Sequence, residues 1–142
     1  MKDWAELIDP ERESRDKFFA YLLRKTSTKK QAREYLHRMK LPESLLDEAT
    51  DAGLIDDSAY ARLFADGHTS WGNAKISHEL SMRGVSRENI RSALDDIADE
   101  SERAREISDS LRESGVEERK IKSRLISRGF TDRAVNEALR EK

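Results

Sequence analysis

The stretch GLIDDSAYARLF, Gly53 to Phe64, places two adjacent carboxylates before a run of apolar residues at helical spacing. Adjacent acids are the raw material of a metal site or of general acid and base chemistry. Either role needs a third ligand, a base or a nucleophile at a matching spacing, and none lies beside Asp56 and Asp57. The three histidines, His37, His68 and His78, fall on separate segments and form neither an HxxxH nor an HExxH pair. The absence of cysteine removes a disulfide framework, thiolate zinc sites and a cysteine nucleophile. No phosphate loop of the GxxxxGK type occurs. No catalytic, cofactor or metal residues are assigned, and the expectation is that the protein is not an enzyme.

The acidic pair reads better as punctuation between helices. Gly53 ends one helix, and Leu54 and Ile55 turn into the core. Asp56 caps the next helix, and Asp57 lies in its first turn, where negative charge suits the helix dipole. Ile55 then staples to Tyr60, with Tyr60, Ala61 and Phe64 forming a buried stripe.

Cations are the other residues with chemistry to offer. The net charge of −2 argues against general nucleic-acid binding, but the charge is unevenly spread. From Arg15 to Lys40 there are nine Lys and Arg against two acids, and from Arg119 to Arg128 there are five and no acid. Lys120, Arg124 and Arg128 share one helical face at i, i+4 and i+8, and Lys122 is a further candidate contact on the same helix. Lys75, Glu79 and Arg83 hold the matching places earlier in the chain, where an upstream segment has Gln31, Tyr35 and Met39. That upstream segment offers Arg24, Lys25, Lys29 and Lys30 around a turn instead. Such patches meet acidic protein surfaces or phosphates; the competing account is a set of solvated helix faces and helix-end cations.

The elements that carry these residues repeat. KISHELSMRGVSRENIRSAL, Lys75 to Leu94, lies without a gap over KIKSRLISRGFTDRAVNEAL, Lys120 to Leu139. A fainter upstream copy puts Ala32, Leu36, Leu41, Pro42, Leu46 and Ala49 in the corresponding places. Each match is a helix-turn-helix joint. Gly84 closes a helix in the left-handed conformation, Val85 touches Leu80 behind it and Ile90 ahead, and Ser86 caps the next helix. Gly129, Phe130 and Thr131 repeat the device, with Leu125 and Val135 as the contacts. Upstream, Leu41 bridges Leu36 and Leu46, but Lys40 replaces the glycine, so that turn is either different or slightly strained.

Hydrophobic residues make up only 36% of the 142 residues and charged residues 39%, which suits narrow apolar stripes in several small clusters. Few glycines, prolines and β-branched runs favour helix over sheet. No apolar run approaches the roughly 20 residues that span a bilayer, and the acids of MKDWAELID argue against a signal peptide. A soluble, cytoplasmic protein is expected.

The expected fold is all-α, an elongated, curved tandem array of three three-helix units with a short N-terminal helix. That first helix, residues 1–9, centres on Trp4, Leu7 and Ile8. The repeats span residues 10–55, 56–98 and 99–142. Asp9 with Pro10 starts the first long helix, with Phe18, Tyr21 and Leu22 inward. The next runs from about Thr28 to Met39, with Ala32, Tyr35, Leu36 and Met39 inward, and the third from Pro42 to Ala52. In the last repeat, Ile107 and Leu111 lie on the first helix. Trp71, in the loop TSWGN, is either an exposed contact or a plug at a junction.

The order DPERESRDKFFAYLLRKTSTKKQAREYL, then GLIDDSAYARLFADGHTSWGNAKISHELSMRGVSRENIRSAL, then KIKSRLISRGF resembles the RecX family of regulators of the RecA recombinase. The most specific part is the middle unit: GLIDD, Tyr60, Gly72, Ile76 with Leu80, and Arg83-Gly84-Val85. The resemblance implies an all-helical protein of tandem three-helix units that is not an enzyme and has no cofactor. It implies binding in the groove of the RecA filament on single-stranded DNA, with slowed ATP hydrolysis and blocked filament growth or promoted disassembly, in recombination and the SOS response. A monomer without membrane contact is expected, with the DNA inside the filament as a further partner. The alternative from the residues alone is a helix-turn-helix-like DNA-binding module.

Overall fold

The computed structural model describes residues 9–140. Among them are nine helices and no strand, and they fall in threes. The first three are α1 (Pro10–Arg24), α2 (Lys29–Arg38) and α3 (Ser44–Asp51). The second three are α4 (Asp57–Asp66), α5 (Asn73–Met82) and α6 (Arg87–Asp95). The last are α7 (Glu100–Glu113), α8 (Glu118–Ser127) and α9 (Asp132–Leu139). The expected helix around Trp4, Leu7 and Ile8 lies outside the described residues.

Local chemistry sets these boundaries. Asp9 accepts the Glu11 N–H at 3.0 Å with Pro10 at the first helical position. Thr28 and Gln31 cap α2 reciprocally. Ser86 and Thr131 cap α6 and α9 as their sequence positions predict. The helix ends share one turn. Val85 N–H donates to Leu80 O at 3.0 Å, and Phe130 N–H to Leu125 O at 3.1 Å. Gly84 and Gly129 between them hold φ of 88° and 87°.

The first repeat makes this turn without glycine. Leu41 N–H donates to Leu36 O at 2.9 Å, and Lys40 sits at φ 56°. The turn is therefore conserved in geometry, and Lys40 bears the steric strain that glycine avoids.

The chain divides after Tyr60 into two compact units. In the first, Phe18, Leu22, Ala32, Tyr35, Leu36, Leu45, Leu46, Ala49 and Ile55 form the core. Tyr21 stacks on Tyr35 with ring centroids 3.8 Å apart, and each large apolar side chain buried here contributes about 1.5–3 kcal/mol. Met39, expected inward, is 41% exposed. It lies at the C-cap of α2, past the last inward-facing turn. Helix α3 begins at Ser44 rather than Pro42, because Pro42 and Glu43 form the tight turn that precedes it.

In the second unit, Ile121, Leu125, Phe130, Val135 and three alanines make one core cluster. Ile76, Leu80, Val85, Ile90 and Ala93 are buried in the repeat before it. The α4 stripe is narrower than expected: Ala61 and Ala65 are buried, while Tyr60 and Phe64 are half-buried.

Candidate functional site

Helix α8 shows how the exposed cations are presented. Ile121 and Leu125 fix its inner face in the core, which turns Lys120, Lys122 and Arg124 outward into solvent. Ile126, 51% exposed, stands among them. Arg128 leaves the stripe at the helix end. It is half-buried, and its carbonyl accepts the Gly72 N–H at 2.8 Å.

The matched cations of α5 are placed differently. The Lys75 ammonium lies 4.2 Å from the centre of the Trp71 ring. Arg83 donates to the Glu79 carboxylate at 2.8 Å and to its backbone carbonyl at 3.1 Å. Its guanidinium also lies 4.8 Å over the Phe64 ring. The hydrogen bond from Arg83 holds the Glu79 carboxyl below the usual carboxylate range, helped by the charges of Arg83, His78 and Lys75. Trp71 is packed rather than free, edge-on to Phe64 at 6.0 Å and 4.2 Å from His68.

In the first repeat, Arg24 ends α1, where a cation suits the dipole, and Lys25 caps it. Lys29 and Lys30 open α2, where the dipole disfavours them. Asp57 offsets part of that cost by accepting the Lys29 N–H at 2.8 Å. The acidic pair is structural, as its position in the sequence predicts. Asp56 accepts the Ala59 N–H at 3.0 Å, and Asp57 reaches back to the preceding repeat. Among the described residues no three His, Asp or Glu side chains converge as a metal site.

A cluster that the sequence did not announce positions α5 against the last repeat. Glu100 accepts the Asn73 N–H at 2.9 Å, the Thr131 N–H at 3.0 Å and the Thr131 hydroxyl at 2.8 Å. One carboxylate thus satisfies the starts of α5 and α9. Arg103, only 4% exposed, donates to Ala98 O at 2.8 Å, Trp71 O at 2.5 Å, Thr69 O at 3.3 Å and the Asn73 side-chain oxygen. Burial pulls its pKa below the usual arginine value, while the nearby Glu100 and Asp99 charges oppose that shift.

The backbones cross beside this cluster. Gly72 donates to Arg128 O and Ala74 donates to Gly129 O at 3.1 Å. A Cβ on Gly72 would collide with the Phe130 amide and the Gly129 carbonyl. The only local hints were a glycine at the head of a helix and an arginine next to the apolar stripe.

Comparison with known proteins agrees with this architecture. Residues 56–94, which carry α4 to α6, match the family model described as RecX, second three-helix domain. The crystal structure of RecX from Lactobacillus salivarius superposes with a TM-score of 0.79 at 21% identity, covering 92% of this chain and 94% of that one. A second crystal structure, of regulatory protein RecX, superposes with a TM-score of 0.76 at 22% identity, covering 94% of this chain and 73% of that one.

Among curated sequences, Regulatory protein RecX of Lactobacillus delbrueckii subsp. bulgaricus is 29% identical, covering 89% of this chain and 53% of its own length. That of Thermobifida fusca is 31% identical, covering 58% of this chain and 49% of its own length. The chain thus spans about half the length of these two relatives.

Fold and surface together define an all-helical protein of tandem three-helix repeats. Within that class, the chain is similar to the regulatory proteins of the RecX family, most specifically over residues 56–94. No helix among the described residues is long and apolar enough to cross a membrane.

Proposed function

We propose that the chain binds RecA filaments on single-stranded DNA and restrains their ATP hydrolysis, extension and strand exchange. Similarity to regulatory proteins of the RecX family supports the class of activity. The observation that carries the contact assignment is the set of exposed cations on α8, Lys120 and Arg124 on one flank and Lys122 on the other, which the core behind them does not use. Arg24, Lys25, Lys29 and Lys30 supply a second basic site around the α1–α2 turn. Lys75 and Arg83 contribute less, because Trp71 and Glu79 already engage their charges; Arg128 borders the α8 face. The repeats 10–55, 56–98 and 99–142 serve as the contact modules, so the effect depends on simultaneous engagement as well as local affinity.

The test is ATP hydrolysis by RecA from the same source on single-stranded DNA, followed as the purified chain is added. Inhibition at a few-fold molar excess is expected. Its absence, with tight and steeply salt-dependent binding to bare duplex DNA instead, would move the function to DNA recognition.

A further inference from the structure

The joint between the last two helices of a repeat carries charge differently in each copy. Aligned on Leu36, Leu80 and Leu125, the three copies put Arg33, Ser77 and Lys122 at one place before the turn. After the turn they put Glu43, Arg87 and Asp132 at another. In the first repeat the two places form an ion pair, with Arg33 Nε donating to the Glu43 carboxylate at 3.1 Å. The third repeat keeps the same signs. The second breaks the pattern: Arg87 stands where the acids stand, and Ser77 offers no counter-charge. Arg91, one turn further along α6, adds a second cation where the other copies have Asp47 and Asn136.

A cavity of about 330 Å³ lies at this joint. Asn73 and Ser77 line it from α5, and Arg87, Ile90, Arg91, Leu94 and Asp95 from α6. Ile90 is buried and Leu94 half-buried, which makes an apolar floor, while both arginines are exposed. Among the described residues, neither guanidinium has a hydrogen-bond, ion-pair or ring partner. Glu88 and Asp95 stand three and four positions from Arg91 on the same helix, a spacing that permits a pair, and none forms.

We propose that this cavity takes the carboxylate of one glutamate side chain on a protein partner, held by Arg87 and Arg91 with the Ser77 hydroxyl as a further donor. The first repeat supplies the chemistry, a glutamate against an arginine at this same joint. In the second repeat the arginines are present and the acid comes from outside. Charge selects a lone carboxylate: two cations and one acid line the cavity, so a singly charged group balances it. A nucleic-acid strand suits the place less. Helix α6 and the turn after it also expose Glu88, Asp95, Asp96 and Asp99, which repel a polyanion along its length and a single carboxylate at one point only. Ile90 and Leu94 lie where the methylene groups of a glutamate can pack. The volume is at the lower end of the roughly 300–1,000 Å³ of binding pockets, which suits one side chain. Arg87 and Arg91 are distinct from the basic residues assigned above to filament contact, and the site rests on the RecA reading only for the identity of the partner.

The test has a probe arm and a filament arm. The probes are N-acetyl-glutamate N-methylamide, its glutamine counterpart, inorganic phosphate and an oligothymidylate. Each is titrated into the full chain, and the Nε–H resonances of Arg87 and Arg91 and the methyl resonances of Ile90 and Leu94 are followed by NMR. The glutamate probe is expected to move them and the glutamine probe to leave them in place. No response to glutamate, an equal response to glutamine, or a larger response to phosphate or the oligonucleotide overturns the inference. Ser77→Glu, which supplies a carboxylate from within, is expected to weaken both glutamate binding and inhibition of RecA about tenfold, with unchanged helicity. Ser77→Gln should retain both. Should Ser77→Glu unfold, Arg87→Gln combined with Arg91→Gln serves instead, and a methyl response equal to the original chain's overturns the inference. If the glutamate probe binds but the original chain does not inhibit RecA, the site stands and the RecA reading falls. If the original chain and a folded Ser77→Glu inhibit equally, the site falls and the RecA reading stands.

Discussion

Helices α5 and α8 carry the same pattern, a cation at the start, an inward Ile and Leu, and an arginine before the closing glycine. In α5 the cations are spent on aromatic rings and on Glu79. In α8 the first cation, with Lys122 and Arg124, projects into solvent. Identical spacing therefore serves cohesion in one repeat and display in the next. What decides is the neighbouring helix: α4 offers Phe64 and the loop after it offers Trp71, whereas α7 offers Ile107 and Leu111. A charged stripe read from one helix cannot reveal its use until the facing residues are known.

The comparison is most sharply broken at the point where the two helices are joined. Gly72→Ala pushes a methyl into the Phe130 amide and is expected to destabilise the protein by about 3 kcal/mol. Chemical denaturation measures this, and a wild-type midpoint would mean that the backbones do not cross as described. Next, the paired helices should answer differently to loss of charge. Reversing Lys120, Lys122 and Arg124 together should weaken RecA inhibition at least about tenfold with helicity and melting temperature nearly unchanged. Replacing Lys75 and Arg83 by Met should do the opposite, costing about 1 kcal/mol of stability while potency holds. Matching outcomes for the two helices would erase the distinction.

A smaller effect tests the turn that lacks glycine. Lys40→Gly relieves the left-handed strain and should stabilise the first unit by about 1 kcal/mol. Thermal unfolding of that variant against the original chain gives the sign directly. The smallest effect is in pH. The folded Glu79 carboxyl titrates below its unfolded value of about 4.3, so its contribution is complete above that value. It is lost as pH falls through the lower, folded value. Glu79→Gln should flatten this part of the stability profile, and an unchanged acid limb would show that the Arg83 pair does not contribute.

Much of the fold was legible because its signals are local. Gly84 with Val85 and Ser86, and Gly129 with Phe130 and Thr131, specify a helix stop and a helix start within three residues. Asp56 and Asp57 were recognisable as helix punctuation for the same reason. Met39 misled because helical spacing continues on paper past the point where the backbone leaves the helix. The α8 cations could be located but their α5 counterparts could not be told apart from them, since cation–ring contacts depend on tertiary packing. Glu100 and Arg103 left only a faint local trace, an arginine next to the apolar stripe. Apart from Ala98 O, five positions before Arg103, the partners cited lie about thirty positions away along the chain, beyond the reach of local spacing.

Glu100 belongs by sequence to the last repeat and by bonding also to the middle one. A fragment ending at the repeat boundary before it loses the acceptor for the Asn73 amide, so the stretch that looks modular on paper is not the piece that can be cut away. Gene rearrangements that lengthen or shorten such an array must carry the opening turn of the following repeat with each copy, or leave a frayed helix behind.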